Sequence, residues 1–300
     1  MTRFFSLPTP RLFAHRGDNV RWPENTLPAF QAAVDRGVSY LELDVWLSRD
    51  ERVVVHHDRS TARTCGMRWK IQRLRFADIR GLDPGRGFLN YQGERPFQGQ
   101  GIQIPALEEV LDAFPQVFFT VEMKQDSPRL RQRIIEILRS RECLDRVLLA
   151  SHGDRAIRGL RRMEPDIPTN FGSKEAKELI QRAWKGNLSG YKPPGHALQI
   201  PPVSRRKNLV TSEVIRAAHS LGVEIHVWTV NDADYARYLI EIGVDGIMSD
   251  DAEILVSLEK EAKEAKRKKI QAEGEARAKR INGDSLAPEL LRMRGIETTL

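Results

Sequence analysis

Cysteine is almost missing from this chain: Cys65 and Cys143 are the only two in 300 residues, so a disulfide framework is excluded. Two thiols so far apart fit a reducing compartment, although such a pair does not exclude an oxidising one. The spacings of a zinc finger, the glycine-and-aromatic signature of an RNA-binding sheet and a basic zipper are absent too. No window reaches the ~18 apolar residues of a membrane span. The opening MTRFFSLPTPRLF is broken by prolines and lacks the apolar run of a secretory signal. A cytoplasmic protein is the default expectation.

Positive charge is in excess: the net charge is +7 and the pI about 9.5. That balance suits nucleic acid, an anionic membrane or a phosphorylated substrate. Much of it lies in arginine-rich helical stretches and in the tail, as a solvated surface would have it. No nucleic-acid partner is expected, and the oligomeric state is not legible.

Hydrophobic runs alternate with helical patterns, the rhythm of βα units on a parallel sheet. Strands are expected near Leu12–His15, Tyr40–Val45, Val117–Lys124, Arg146–Ser151, Ile167–Gly172, Ala197–Pro201, Glu224–Val230 and Gly246–Asp250. Helices fit between them, at Thr26–Arg36, Leu107–Phe114, Arg129–Arg139, Arg155–Met163, Lys174–Trp184, Ser212–Leu221, Asp232–Ile242 and from Ala252 onward. Gly37, Gly222 and Gly243 each follow a helix directly, where a left-handed cap favours glycine. Eight such units predict an α/β fold, a TIM (β/α)8 barrel over residues 1–258, with its site at the C-terminal ends of the strands.

The rhythm breaks after the second strand. Between Val45 and Asp58 there is no room for a helix, so a hairpin is expected, turning at Asp50-Glu51 and setting His57 roughly opposite Asp44. Residues 59–104, rich in glycine and arginine, are too long for an ordinary loop and read as a lid-like insertion over the barrel mouth. From Glu259 the chain is charged almost throughout, without a wide apolar stripe; residues 259–300 read as a solvent-exposed helical or partly disordered tail.

Chemistry concentrates on three strands. Glu42 and Asp44 are two apart, so alternation puts both on one face, with Leu41, Leu43 and Val45 on the other. Two inward carboxylates need cationic partners. Either a hard divalent ion, Mg²⁺ or Ca²⁺, or a pair of barrel arginines would satisfy them. Glu122 repeats the arrangement in TVEMK and adds a third carboxylate; Lys124, two further on, reaches the rim as a carboxylate partner or a phosphate contact. His15 ends the first strand and Arg16 follows. Two imidazoles, His15 and His57, can deprotonate a nucleophile and protonate a leaving alkoxide. His56 should point away and be structural. Asn25 is expected to cap the first helix, with Glu24 as a partner of Arg16 or of a metal. His226 and Trp228 share a face, and Asn231 should cap the helix after them. His152, His196 and His219 read as structural or surface residues.

The motifs HRG (His15 to Gly17), PENT (Pro23 to Thr26), ELDV (Glu42 to Val45) and HD (His57, Asp58) stand in one order. With RTCG after HD, IPALEEVL, WTVN and GVDGIMSD, the chain from about residue 11 to 257 resembles the glycerophosphodiester phosphodiesterase family. The resemblance implies hydrolysis of glycerophosphodiesters to glycerol 3-phosphate and an alcohol. It assigns catalysis to His15 and His57 and metal binding to Glu42, Asp44 and Glu122. It sets Trp228 against the substrate, while Arg16 and Lys124 are placed to hold the phosphate's oxygens. Two departures touch the pocket: Ser249-Asp250-Asp251-Ala252 stands where the family often has TDxP, and Ser151-His152-Gly153 where Ser-Phe is common. The substrate would be a small-molecule diester. A lysophospholipase D-type reaction at a membrane surface is the alternative, with the basic run Lys266 to Lys269 as a weak lipid contact. A non-enzymatic barrel binding phosphorylated ligands is a third reading, against which the paired histidines count. Which histidine is acid and which is base stays open.

Overall fold

The computed structural model describes residues 2–296, with side chains through residue 277. One compact unit ends at Val256 and a second begins at Ser257. The strands are β1 (Arg11–His15), β2 (Tyr40–Leu47), β3 (Val53–Val55), β4 (Phe118–Met123), β5 (Val147–Ala150), β6 (Ala197–Ile200), β7 (Val203–Ser204), β8 (Lys207–Asn208), β9 (Glu224–Val227) and β10 (Gly246–Ser249). The helices are α1 (Leu27–Asp35), α2 (Ala62–Cys65), α3 (Phe76–Arg80), α4 (Leu107–Ala113), α5 (Pro128–Ser140), α6 (Asp154–Met163), α7 (Ser173–Trp184), α8 (Ser212–Ser220), α9 (Ala233–Glu241) and α10 (Ala252–Ile296).

The main sheet runs β5-β4-β2-β1-β10-β9-β6, all parallel, with β3 antiparallel on β2. Its two ends meet through residues 169 and 170, by parallel bridges Leu149 to Thr169 and Asn170 to Ala197. A closed ring of eight positions results, with helices between the strands: an (β/α)8 barrel, as the alternation predicts. The fifth position is where the expectation needs correcting, because Ile167–Gly172 is not a regular strand. Pro168 has no N–H to donate to a ladder. The Arg161 guanidinium donates to the Asn170 carbonyl at 2.6 Å, an acceptor a strand would otherwise pair, and to the Thr169 hydroxyl at 2.8 Å.

Alternation sorts the interior into layers. At the N-terminal end Arg11 donates to both carboxylate oxygens of Glu224, each at 2.7 Å, and to the Tyr40 hydroxyl at 2.9 Å. Phe4 closes this floor from outside the strands, packed with Phe13, Tyr40, Phe118, Leu148 and Met248. Each such large side chain, fully removed from water, contributes roughly 1.5–3 kcal/mol. Above the plug, Glu42 and Thr120 line the cavity that opens at the C-terminal mouth, while His226, fully buried against Phe13, stays with the floor through Glu224 at 3.0 Å.

The hairpin β2–β3 rises from that mouth. Its pairs are Val45 with Val55 and Leu47 with Val53, so Asp44 faces His56 and not His57; the His56 N–H donates to the Asp44 carbonyl at 2.9 Å. The turn Ser48–Arg52 sets this register: the Ser48 hydroxyl accepts from the Arg52 N–H at 2.9 Å, and Glu51 sits at φ 62°. Residues 59–104 pack around Trp46, Val54, Cys65, Ile71, Ile79, Leu82 and Ile104, a satellite core distinct from the barrel's own. The second unit, α10 from Ser257 on, carries local pairs such as Lys263–Glu259 at 2.8 Å and Arg267–Glu264 at 3.0 Å.

Candidate active site

Parallel register gathers the inward residues of neighbouring strands at one height: His15 beside Glu42, Glu42 beside Thr120, and Asp44 beside Glu122. Glu42, Asp44 and Glu122 each offer an oxygen within 4.8 Å of the others. The loop after β1 carries Arg16 at φ 59° and Gly17 at φ 88°; a Cβ on Gly17 would stand 2.6 Å from the Ala29 backbone, so only glycine fits. This turn aims the Arg16 guanidinium back over the mouth. Arg16 Nε lies 3.0 Å from Asp44 Oδ2 and Lys124 Nζ 3.0 Å from Asp44 Oδ1, near enough to pair but off line for hydrogen bonds. Lys124 also reaches Glu122 at 3.0 Å.

The donor set fits a hard divalent cation. Three convergent carboxylates supply only oxygen. Glu42 Oε2 is buried without a hydrogen-bond partner, with His15 Nε2 3.8 Å away. Burial, then the repulsion of Asp44, pushes the Glu42 carboxyl up to about 8. Burial works the same way on Asp44, but Lys124 and Arg16 outweigh it and lower its pKa. A carboxylate in so unfavourable a place is one that lacks its counter-charge.

Two histidines flank this cluster, each held by its own carboxylate. His15 Nδ1 lies 2.7 Å from Asp250, and His57 Nδ1 2.6 Å from Asp58. Burial opposes the charged imidazole of His15, yet Glu42 and Asp250 outweigh it and raise its pKa. Asp250 and Asp58 are both drawn down to about 2, against burial, by their histidine and by further donors: Asn19 and Asn231 on Asp250, Arg63 on Asp58. Ionised carboxylates only accept, so each Nδ1 carries the proton toward its carboxylate and each Nε2 is left for other partners. Arg63 ties the arrangement together by also gripping both oxygens of Glu24, at 2.6 and 2.7 Å, while Glu24 accepts from Arg16 at 3.2 Å.

His15, Arg16, Glu42, His57, Glu122, Lys124 and Trp228 line one cavity of about 270 Å³, and Asp44 lies buried beneath it. All eight residues singled out from the sequence thus converge. His56, as expected, is buried and structural, with Nδ1 to the Asp58 carbonyl at 2.8 Å and Nε2 to Thr64 at 2.9 Å. Two expected caps are not caps. Thr26 caps α1, while Asn25, at φ 57°, donates to Asp44 Oδ2 at 2.9 Å. Asp232 caps α9, while Asn231 binds Asp250 through its side chain. His152 is also not a bystander: it lines the cavity, its ring edge-on to Trp228 at 5.4 Å. Asp58, Arg63 and Asp250 belong to the site as well, although the motifs HD, RTCG and GVDGIMSD assign them no role. A carboxylate beside a histidine or at a strand's C-terminal end was the signal available.

A parallel barrel with imidazole, cationic and acidic groups gathered at its C-terminal mouth has the layout of an enzyme that acts on an anionic substrate. The profile of the glycerophosphoryl diester phosphodiesterase family matches residues 15–254, and the chain belongs to that family. It is 30% identical over 256 residues to the glycerophosphodiester phosphodiesterase of Caldanaerobacter subterraneus, covering 82% of this chain and 96% of the relative. Among solved structures, the glycerophosphoryl diester phosphodiesterase domain of a Mycobacterium tuberculosis protein superposes with a TM-score of 0.75 at 19% identity, over 84% of this chain and 99% of that one. An Oleispira antarctica phosphodiesterase, solved with the product sn-glycerol-3-phosphate, does so with a TM-score of 0.69 at 23% identity, over 84% and 97%. The protein is a glycerophosphodiester phosphodiesterase, of a family that generally depends on a divalent metal.

Proposed function

We propose that this protein cleaves small glycerophosphodiesters with His15 and His57 as its acid–base pair and with Glu42, Asp44 and Glu122 holding a Mg²⁺ or Ca²⁺ ion. The observation that carries the reading is that both Nε2-presenting histidines line the cavity above the carboxylate triad. When bound, the ion supplies positive charge to the phosphoryl oxygens. Arg16 and Lys124 face the two non-bridging oxygens of the diester, which orients the phosphorus between the two imidazoles. One imidazole takes a proton from the nucleophile, water or a neighbouring substrate hydroxyl, as the new P–O bond forms. The other gives a proton to the departing alkoxide as the old bond breaks. Trp228 forms the wall for the glycerol or alcohol portion. Within residues 59–104, Arg63 braces the mouth beside His57 through Asp58 and Glu24. The free, buried thiols of Cys65 and Cys143 suit the reducing cytoplasm.

Chelation tests this reading. Release of sn-glycerol 3-phosphate from glycerophosphocholine and glycerophosphoethanolamine should stop on exhaustive metal removal and return with Mg²⁺ or Ca²⁺. Phosphomonoesters should be poor substrates throughout. Full turnover by verified metal-free protein would remove the ion from the site.

A further inference from the structure

The barrel mouth is flanked by two basic excursions that the catalytic site does not use. One is the stretch after β3. Between Asp58 and Asp78 the chain has no acidic residue, and Arg68, Lys70 and Arg73 are exposed with no side-chain partner among the described residues. Met67 and Trp69 stand beside them, 37% and 44% exposed. Asp78, the one acid in the surface depression these residues line, is engaged with the Arg75 N–H at 3.2 Å. The other excursion is the hairpin β7–β8, directly after β6. No acidic residue lies between Glu178 and Glu213, and Arg205, Arg206 and Lys207 are exposed and unpaired among the described residues, next to Val203, which is 53% exposed. Arg205 and Arg206 form its two-residue apex at φ 47° and 63°. Glycine and asparagine suit that turn; two arginines there tax the fold for the sake of placing charge.

Topology sets these features against each other. Around the ring, β2 and β6 are four positions apart in either direction, through β1, β10 and β9 or through β4, β5 and residues 169–170. The loop after β6 lies on the C-terminal face, and the stretch after β3 is tied to the hairpin that rises from that face, the Arg49 N–H donating to the Leu74 carbonyl at 2.8 Å. Cations alone would suit any polyanion. The exposed tryptophan, methionine and valine beside them favour a lipid surface, because aromatic and apolar side chains settle at the headgroup level while Lys and Arg meet anionic lipids.

We propose that the Met67–Arg73 and Val203–Asn208 excursions seat the mouth of the barrel on an anionic lipid bilayer, such as the cytoplasmic leaflet presents, so that the site faces diesters carried at the membrane. Docking is independent of the hydrolytic chemistry and can be read without turnover.

The test is sedimentation of the full-length protein with phosphatidylcholine vesicles, with and without phosphatidylglycerol. The protein should bind the anionic vesicles and not the neutral ones, and added salt should release it. Each cation removed should weaken binding about five-fold. Arg205→Gln with Arg206→Gln, and separately Arg68→Gln with Lys70→Gln, should each weaken it by about 25-fold. Trp69→Ala should weaken it with no change in charge. Turnover of soluble glycerophosphocholine should stay at the parent level in all three, which also shows that they fold. Equal binding to both vesicles, no binding, or anionic binding that survives both double substitutions would overturn the proposal. So would loss in these variants of binding to single-stranded DNA in a protein that ignores vesicles.

Discussion

His56 and His57 are chemically identical neighbours with opposite surroundings. His56 turns under the hairpin, where two hydrogen bonds satisfy it and burial lowers its pKa. His57 turns into the cavity, its carbonyl fixed by the Trp46 indole N–H at 2.9 Å and its Nδ1 by Asp58. Substitution should separate these roles. His57→Ala and His15→Ala should each lower kcat by roughly 10²-fold or more, the ordinary scale of lost acid–base catalysis, with little change in melting temperature. His56→Ala should instead leave kcat within a few-fold and cost about 1–3 kcal/mol of stability, because the Thr64 hydroxyl loses a buried partner. Steady-state kinetics beside thermal melts would decide it; a crippled His56→Ala enzyme with an unimpaired His57→Ala one would reverse the assignment.

Strands β1, β2 and β9 are joined at the barrel floor by one ionic cluster, and its energetics belong to those elements together. Burial opposes ionisation of Glu224, but His226 and Arg11 draw its pKa from 4.5 down to about 2. A folded-state pKa below the unfolded value means stability that is complete above about pH 4.5 and lost as pH falls toward 2. The 2.5-unit difference corresponds to about 3 kcal/mol, an upper figure for a side chain still one-fifth exposed. Glu224→Gln should therefore be less stable than the parent near pH 7, and urea unfolding should show the gap closing as pH drops below about 4.5. A gap unchanged down to pH 3 would show that the floor owes its strength to apolar packing alone.

For the whole molecule, the expectation is that the barrel folds and works without most of its charged tail. A helix without a wide apolar stripe forms through propensity and local charge pairs, each worth roughly 0.2–0.5 kcal/mol. Removal of residues 265–300 should leave the melting temperature and the turnover of glycerophosphocholine nearly as they are. Truncated protein that is insoluble, or inactive on this soluble diester, would make the tail part of the fold or of the site.

The order of βα units was legible because it rests on local periodicity, and the inward direction of Glu42, Asp44 and Glu122 because alternation along a strand is a covalent consequence. The motifs pointed to eight residues that the structure gathers at one cavity. What sequence alone left undecided depends on contacts between distant segments. The hairpin register follows from a turn in which Ser48 binds Arg52, so Asp44 meets His56 one residue away from the expected partner. Asn25 and Asn231 each sit one residue before the cap, Thr26 or Asp232, and give their side chains to Asp44 and Asp250. Asp250 lies 235 positions from His15 and reaches it only because β10 closes the barrel beside β1. Periodicity acts over a few residues and so can be read along the chain; the partner of a buried polar group is chosen by whatever the closed barrel brings within about 3 Å, and that only the tertiary structure decides.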